Sequence, residues 1–277
     1  MSLKELLKKA YTEQFAIGGF GFYNLESARA VVEAVKKTKK PAWLMVTEKS
    51  IDYAGLNQLL GIVEKLKKDS ETPFYLHLDH GKNIETIRHC VKSGFDSVMF
   101  DGSGLPFDQN TALSRELARY AKRNGVVFEA EIGHVGGKED KVSARMFKTN
   151  PSEALHFYEL VKPDMMAVAI GNIHGEQTAK EELDFTLLAK ISDLVKAPLV
   201  LHGCSNRAAR EYQVAISQGI VKINIDTELR QAFVESLHRS LRKKEKDPRE
   251  ILTLASGQIT KVVEGKIELF SCSKLVC

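Results

Sequence analysis

Six short stretches of this 277-residue sequence run from apolar residues into polar ones able to do chemistry. They are Leu78-Asp79-His80-Gly81, Phe100-Asp101-Gly102-Ser103 and Glu129-Ala130-Glu131-Ile132-Gly133, then Ile170-Gly171-Asn172-Ile173-His174-Gly175, Leu201-His202-Gly203-Cys204-Ser205 and Lys222-Ile223-Asn224-Ile225-Asp226-Thr227. Taken singly, each of His80, His174 and His202 reads as a structural histidine hydrogen-bonded in place. Each, however, closes the same kind of segment beside a glycine. Three neutral imidazoles with an open fourth position make a catalytic zinc site, with Zn–N bonds of about 2.0–2.1 Å. Asp101 and Glu131 end neighbouring segments, where they can accept from the imidazole N–H groups or offer a second metal position. An ordinary ion pair or a helix cap is the plainer reading of either carboxylate.

The glycines carry a second signal. Gly175, Gly203 and Ser205 cluster with Asn224, Asp226 and Thr227 in the last three stretches. Backbone N–H groups at glycine turns and at a helix start bind anions, and a missing Cβ lets the anion come close. Glycine also ends strands for turn reasons alone. Joined to a metal site, the cluster points to a phosphorylated substrate whose oxygens reach the metal.

These residues need a frame that brings them to one place. The apolar runs Ala16–Phe22, Ala42–Thr47, Phe74–His80, Ser97–Asp101, Val126–Gly133, Met165–Gly171, Leu199–Gly203 and Val221–Asp226 read as strands. Amphipathic helical patterns separate them: Leu25–Thr38, Gly55–Lys68, Ile84–Ser93, Asp108–Asn124, Ser152–Lys162, Phe185–Val195, Ala208–Ser217 and Glu228–Lys244. A helix over Leu3–Gln14 precedes the first strand. Another within Pro248–Val263 belongs to a C-terminal helical extension over about 247–270. Strand–helix alternation predicts a parallel sheet, and eight units in one domain spanning residues 1–277 predict a (β/α)8 TIM barrel, whose active site lies at the C-terminal ends of the strands. An open doubly wound sheet is the competing fold, but Gly18-Gly19-Phe20-Gly21-Phe22 lacks the dinucleotide-binding spacing. The connection His134–Pro151 is long enough to be a catalytic lid.

Composition removes other classes. Lys and Arg number 40 against 36 Asp and Glu, a net charge of +4, and 43% of residues are hydrophobic. The densest basic run, Arg239–Lys246, reads as a solvated helix end, so no nucleic-acid partner is expected. No apolar run approaches the roughly 20 residues that cross a bilayer, and the start lacks a signal-peptide core, so a cytoplasmic protein with no membrane partner is expected. Cys90, Cys204, Cys272 and Cys277 form no paired framework and read as reduced thiols.

The chain resembles the class II, metal-dependent ketose-bisphosphate aldolases, over about Leu3 to Glu264. The resemblance rests on Phe20–Glu26, Leu76–His80, Ser97–Asp101, Leu105–Phe107, Glu129–Gly133, Gly136–Asp140, Val168–Gly175, Leu199–Gly203 and Lys222–Thr227, in the family's order. It implies reversible retro-aldol cleavage of a ketose 1,6-bisphosphate, fructose or tagatose, in carbohydrate metabolism such as glycolysis. By resemblance His80, His174 and His202 hold Zn2+ or another divalent metal, with a monovalent cation as a further candidate. Asp79 is the acid/base at the C4 hydroxyl, and Glu139 on the Gly136–Asp140 loop moves the proton at C3. Asp101 and Glu131 are supporting or alternate metal ligands. Gly175, Gly203, Ser205, Asp226 and Thr227 cradle the C1 phosphate, with Asn224 beside the reacting carbon. Asp247-Pro248-Arg249 resembles an element whose arginine, from a neighbouring subunit, reaches the second phosphate, which implies a homodimer or homotetramer.

The sequence departs from the family at the far end of the substrate. Gly21 stands where the family has asparagine, and Thr47-Glu48-Lys49-Ser50 replaces a Gly/Ser-rich turn. There Lys49 is expected to attract phosphate and Glu48 to repel it. Ser205-Asn206 replaces Ser-Gly, and Thr178 stands where a lysine is common, with Lys180 two residues on. Three rival readings compete. One is a Schiff-base aldolase using Lys222, at a strand start away from the catalytic rim. Another is a metal-dependent hydrolase, which the first strand's lack of an HxH disfavours. The third is a non-catalytic sugar-phosphate-binding homologue.

Overall fold

The computed structural model describes residues 1–139, 142–144, 148–175 and 182–271. In chain order the elements begin α1 (Leu3–Glu13), β1 (Ile17–Gly21), α2 (Leu25–Thr38), β2 (Ala42–Val46), α3 (Glu48–Ala54), α4 (Leu56–Lys68), β3 (Phe74–Gly81), α5 (Ile84–Lys92), β4 (Ser97–Phe100) and α6 (Phe107–Arg123). The middle of the chain supplies β5 (Val127–Ile132), β6 (Gly136–Glu139), β7 (Val142–Ala144), α7 (Pro151–Val161), β8 (Met165–Val168), β9 (Ile173–His174) and α8 (Phe185–Val195). It closes with β10 (Leu199–Leu201), α9 (Ala209–Ser217), β11 (Ile220–Ile225), α10 (Thr227–Arg242) and α11 (Pro248–Phe270).

Eight of these strands form a closed parallel barrel in the order β1-β11-β10-β8-β5-β4-β3-β2, which is the expected (β/α)8 architecture. Closure comes from β1 on β11, in the register Ile17↔Lys222 to Phe20↔Ile225. The helices form because an apolar stripe repeats at helical spacing and their ends are capped. In α2, Asn24 accepts from Ser27 N–H and the Ser27 hydroxyl accepts in return from Asn24 N–H. Buried Ala28, Val31, Val32 and Val35 then face the barrel wall.

The core has two parts. The larger lies between strands and helices, and includes Phe20, Leu44, Leu78, Val98, Phe128, Phe157 and Leu201. The smaller joins Leu6, Leu7 and Ala10 of α1 to Ile17, Trp43, Met99, Val127, Met165 and Val200. Those strand residues lie mostly at the N-terminal ends, so α1 seals the bottom of the barrel with apolar side chains. Above them the interior turns polar.

One local expectation changes and two gain detail. The Thr47–Ser50 segment is not a turn but the start of α3, where Thr47 accepts from Ser50 N–H. The long helix expected from Gly55 is correspondingly preceded by α3, with Gly55 at a φ of 83° between the two. The His134–Pro151 connection is not structureless: β6 and β7 pair as a hairpin, and β6 also pairs in parallel with β9 (Gly136↔Ile173, Gly137↔His174). Of the expected lid motif, Asp140 lies outside the described residues. So do Thr178, Lys180, Cys272 and Cys277; Cys90 and Cys204 are buried free thiols, as reduced cysteines should be.

The C-terminal extension is a single helix, α11, laid across α2. Ser256 and Thr260 donate to the carbonyls of Glu26 and Ala30, and the Phe270 carbonyl accepts from Ala16 N–H at 2.9 Å. The fully buried Phe270 ring meets Tyr212 edge-on, with centroids 5.0 Å apart. Phe270→Ala should therefore cost about 3–5 kcal/mol of stability in urea unfolding. A loss below about 1 kcal/mol would mean that α11 does not belong to the barrel's cooperative unit.

Candidate active site

The C-terminal end of β3 carries the first pair of candidate residues. The β3–β4 register shifts between Leu78 and Gly81, and His80 sits at a φ of 46°, a left-handed conformation uncommon outside glycine. The irregularity breaks strand alternation here, so the consecutive residues Asp79 and His80 both serve the interior site. Asp79 Oδ1 accepts from the Asn224 amide at 2.8 Å. His80 donates from Nδ1 to Asp101 Oδ2 at 3.2 Å, with Glu131 Oε2 3.6 Å away, which puts the ring's lone pair on Nε2. Asp101 is itself held by the Ser103 hydroxyl at 2.6 Å, and that hydroxyl lies 2.9 Å from His134 Nδ1. Burial pushes the Asp101 carboxyl up, but hydrogen bonds from His80 and Ser103 and the charge of Lys82 outweigh it and hold the group well below the usual carboxylate range.

His202 follows β10. Its Nε2 lies 2.8 Å from Glu129 Oε1 and its Nδ1 3.1 Å from the Asn224 amide nitrogen. His174 arrives by another route, on β9 beside β6. Asn172 shapes that approach: its oxygen accepts from Ile170 N–H at 2.7 Å, and its amide donates to the His202 carbonyl at 3.0 Å. The His80 ring centroid is 4.5 Å from that of His202 and 4.9 Å from that of His174, and the outer two rings are 6.3 Å apart. Burial, then the neighbouring imidazoles, hold His174 well below the ordinary histidine range, so it is a neutral donor.

This donor set suits a divalent metal. The potential ligand atoms of Asp79, His80 and His202 all lie within 4.8 Å of one another, and so do those of His80, Asp101 and Glu131. His80 thus joins two groupings, with Asp79 beside it in one and Asp101 and Glu131 in the other. Imidazole nitrogen with carboxylate oxygen fits a borderline cation such as zinc.

Beside the imidazoles, a narrow recess is lined by Asp79, His174, Gly175, Gly203, Ser205, Asn224, Asp226, Thr227 and Arg230. Every residue expected in the cradle is here. Gly203 has a φ of 57°, and a Cβ on it would stand 2.6 Å from the Ile173 carbonyl carbon, so only glycine permits this approach. Thr227 opens the 16-residue α10, whose N-terminus favours an anion. Arg230 is absent from the sequence reading. It lies one turn into α10 and pairs with Asp226, offsetting the carboxylate's charge where a phosphate would sit. Its spacing of four residues from Asp226 in a helix was the available signal.

A wider pocket of about 260 Å³ adjoins the recess, between Asp79, Asp226 and Arg230 on one side and Gly21, Tyr23, Thr47, Lys49, Ser50 and Tyr53 on the other. The structure adds detail at two positions. Glu48 is not among these lining residues, and its Oε1 accepts from Lys82 and Asn83 N–H at 3.0 and 2.7 Å. Gly21 is not simply a missing contact: a Cβ there would meet Asp226 Oδ1 at 2.3 Å, so asparagine cannot enter without displacing the Asp226–Arg230 pair.

Arg249, expected to serve a neighbouring subunit, lies on the exposed start of α11, where Asp247 binds its guanidinium through both oxygens at 3.0 and 2.7 Å. Glu139 ends β6, and its side chain lies outside the described residues. Lys222 differs from expectation. It lies inside the barrel rather than away from the site, with Nζ 2.8 Å from Glu129 Oε2 and 3.0 Å from His77 Nε2. That fixed ammonium is not a poised Schiff-base amine. Nothing in the isolated motifs marked Glu129 and His77 as its partners.

A family model described as fructose-bisphosphate aldolase class-II matches residues 1–274. Among solved structures, the chain is similar to the YdjI aldolase of Escherichia coli K12, at 28% identity and a TM-score of 0.87 over 97% of this chain and 96% of that one. It shares the fold of a fructose-bisphosphate aldolase from Campylobacter jejuni, at 22% identity and a TM-score of 0.84 over 98% and 95% of the two chains.

The buried histidines set a pH dependence. Burial and the Lys222 charge push His77 down to about 3, and His174 also lies below its ordinary value. Between pH 6.5 and 5 the unfolded chain therefore binds protons that the native state refuses. Stability of the metal-free protein should fall on acidification through this range, by up to about 1.4 kcal/mol per pH unit for each histidine. Urea midpoints across the range measure it; a midpoint that holds steady would contradict the neutral assignment.

Proposed function

The chain belongs to the class II fructose-bisphosphate aldolase family, and from that premise we propose that it cleaves a ketose 1,6-bisphosphate, fructose 1,6-bisphosphate first, to dihydroxyacetone phosphate and glyceraldehyde 3-phosphate. The observation that carries this reading is the adjacency of the His80, His174 and His202 rings, with the Asp79 carboxylate beside His80 and His202 and a glycine-lined anion recess next to them. His80, His174 and His202 would hold the metal, zinc in this reading, with Asp101 and Glu131 in support. Held by these residues, a divalent ion would supply a Lewis acid for the negative charge that develops on cleavage.

The chain's own residues carry the protons. Asp79, held in one orientation by the Asn224 amide, takes the C4 hydroxyl proton. The C4–O electrons form the aldehyde carbonyl as the C3–C4 bond breaks, and that bond's electron pair stays with C3. Glu139 delivers the proton to C3, completing dihydroxyacetone phosphate; condensation reverses each transfer. Gly175, Gly203, Ser205 and Thr227 bind the C1 phosphate through backbone and hydroxyl donors, with Asp226 and Asn224 ordering the recess. The wider pocket then receives the aldehyde half. Arg249, exposed beside Pro248, serves the second phosphate of a neighbouring subunit in a cytoplasmic homodimer or homotetramer.

Chelator treatment should abolish cleavage of fructose 1,6-bisphosphate, and added zinc or cobalt should restore it. Borohydride in the presence of substrate should leave the enzyme active. Full activity after rigorous metal removal would overturn the proposal, and parallel rates with tagatose 1,6-bisphosphate and ketose 1-phosphates identify the preferred ketose. The proton carriers separate by isotope exchange. Asp79→Ala should lower cleavage by about 100-fold or more while dihydroxyacetone phosphate still exchanges its C3 hydrogen with deuterated water. Glu139→Ala should suppress that exchange. Equal loss of exchange in both variants, each still binding metal, would contradict the assigned roles.

A further inference from the structure

One layer below the rim, the barrel encloses Lys222 from β11, Glu129 from β5 and His77 from β3, all without solvent exposure. Isolated charges at such a depth cost several kcal/mol, and a matched pair rarely recovers more than that, so packing alone does not explain them. Their hydrogen bonds, however, can be assigned without ambiguity. Lysine only donates. The Lys222 ammonium therefore donates to Glu129 Oε2 at 2.8 Å and to His77 Nε2 at 3.0 Å, and it lies 5.9 Å from the centroid of the Trp43 ring. His77 accepts at Nε2, so its proton is on Nδ1 and goes to Ser97 Oγ at 2.6 Å.

The same logic runs upward to the rim. A carboxylate only accepts, and Glu129 Oε1 faces His202 Nε2 at 2.8 Å, so that nitrogen carries the proton. His202 Nδ1 then bears the lone pair, which accepts from the Asn224 amide at 3.1 Å in the metal-free protein and would pass to an ion bound there. We infer that Glu129, oriented by the Lys222 ammonium, is a positioning residue that fixes the tautomer of His202 and presents Nδ1 toward the metal site. The inference rests on the metal-site reading for its purpose, though not for its geometry. Lys222 acts at one remove: with its ammonium on Oε2, the carboxylate turns Oε1 to the histidine.

The chain of donors and acceptors makes an asymmetric prediction. In Glu129→Gln the amide oxygen must face Lys222, because an NH2 there would oppose the ammonium. The amide NH2 then faces His202 Nε2, which must accept, so the histidine proton moves to Nδ1 and the Asn224 amide, a donor there in the wild type, must turn its oxygen toward it. In the double variant Glu129→Gln/Lys222→Met nothing holds the amide that way, so it turns over and accepts from His202 Nε2–H again.

Long-range proton–nitrogen NMR of the metal-free protein, labelled with 15N-histidine, reads the tautomers directly. The wild type should show His202 protonated at Nε2 and His77 at Nδ1. Glu129→Gln should move the His202 proton to Nδ1, and the double variant should return it. Zinc affinity, measured by competition with a chromophoric chelator, should weaken by about 10–100-fold in Glu129→Gln and recover at least in part in the double variant. A wild-type His202 protonated at Nδ1 overturns the inference even if no variant folds. So does a Glu129→Gln protein that keeps the wild-type tautomer and zinc affinity, or a double variant no better than the single. Correct tautomers in a protein with no zinc affinity would instead overturn the metal-site reading and leave the positioning intact.

Discussion

The Glu129 carboxylate lies between an ammonium and an imidazole, sealed from water on all sides. This constraint organises the molecule. Removing any one partner leaves a buried charge or donor uncompensated, a far larger disturbance than the pair's net worth. The hydrogen bonds run from Ser97 through His77, Lys222 and Glu129 to His202, and thence to Asn224 and Asp79. Strands β3, β4, β5 and β11, with the residue after β10, are thereby tied together inside the barrel as well as through its wall. The orientation of the rim side chains follows from the layer beneath them.

Around this chain the fold divides its tasks by height. Apolar residues sealed by α1 close the bottom, the charged layer fills the middle, and the imidazoles and carboxylates reach the top. Backbone irregularity also serves the site. His80 adopts a left-handed conformation at the β3 shift, Gly203 lets the chain pass against Ile173, and Asn172 turns the segment that delivers His174. The anion recess and the wider pocket share Asp79, Asp226 and Arg230. A bound ketose would thus meet one continuous set of groups from its first carbon to its last.

Much of this was legible in the sequence, for reasons that particular residues make plain. The eight barrel strands show as apolar runs because a parallel strand is buried on both faces, and the rim residues show because polar side chains interrupt those runs at their ends. His80, His202, Asp79 and the cradle glycines could be found that way. The roles of Glu129 and Lys222 could not, although both stand in the stretches singled out. Each sits within an apolar run, and their meaning comes from a meeting across the barrel between strands far apart in sequence. Position along β11 made Lys222 look remote from the rim, although its long side chain spans part of the barrel's height. The start of α3 was concealed by residues equally at home in a turn, and the role of Gly21 depends on where Asp226 points, which no local pattern encodes.

In the proposed site three imidazoles from separate parts of the chain hold one metal beside the Asp79 carboxylate, and X-ray absorption at the zinc edge of the loaded protein reads that shell. Three imidazole nitrogens at about 2.0–2.1 Å are expected, with oxygen completing the shell and no sulfur. A shell containing sulfur, or only one imidazole, would contradict it.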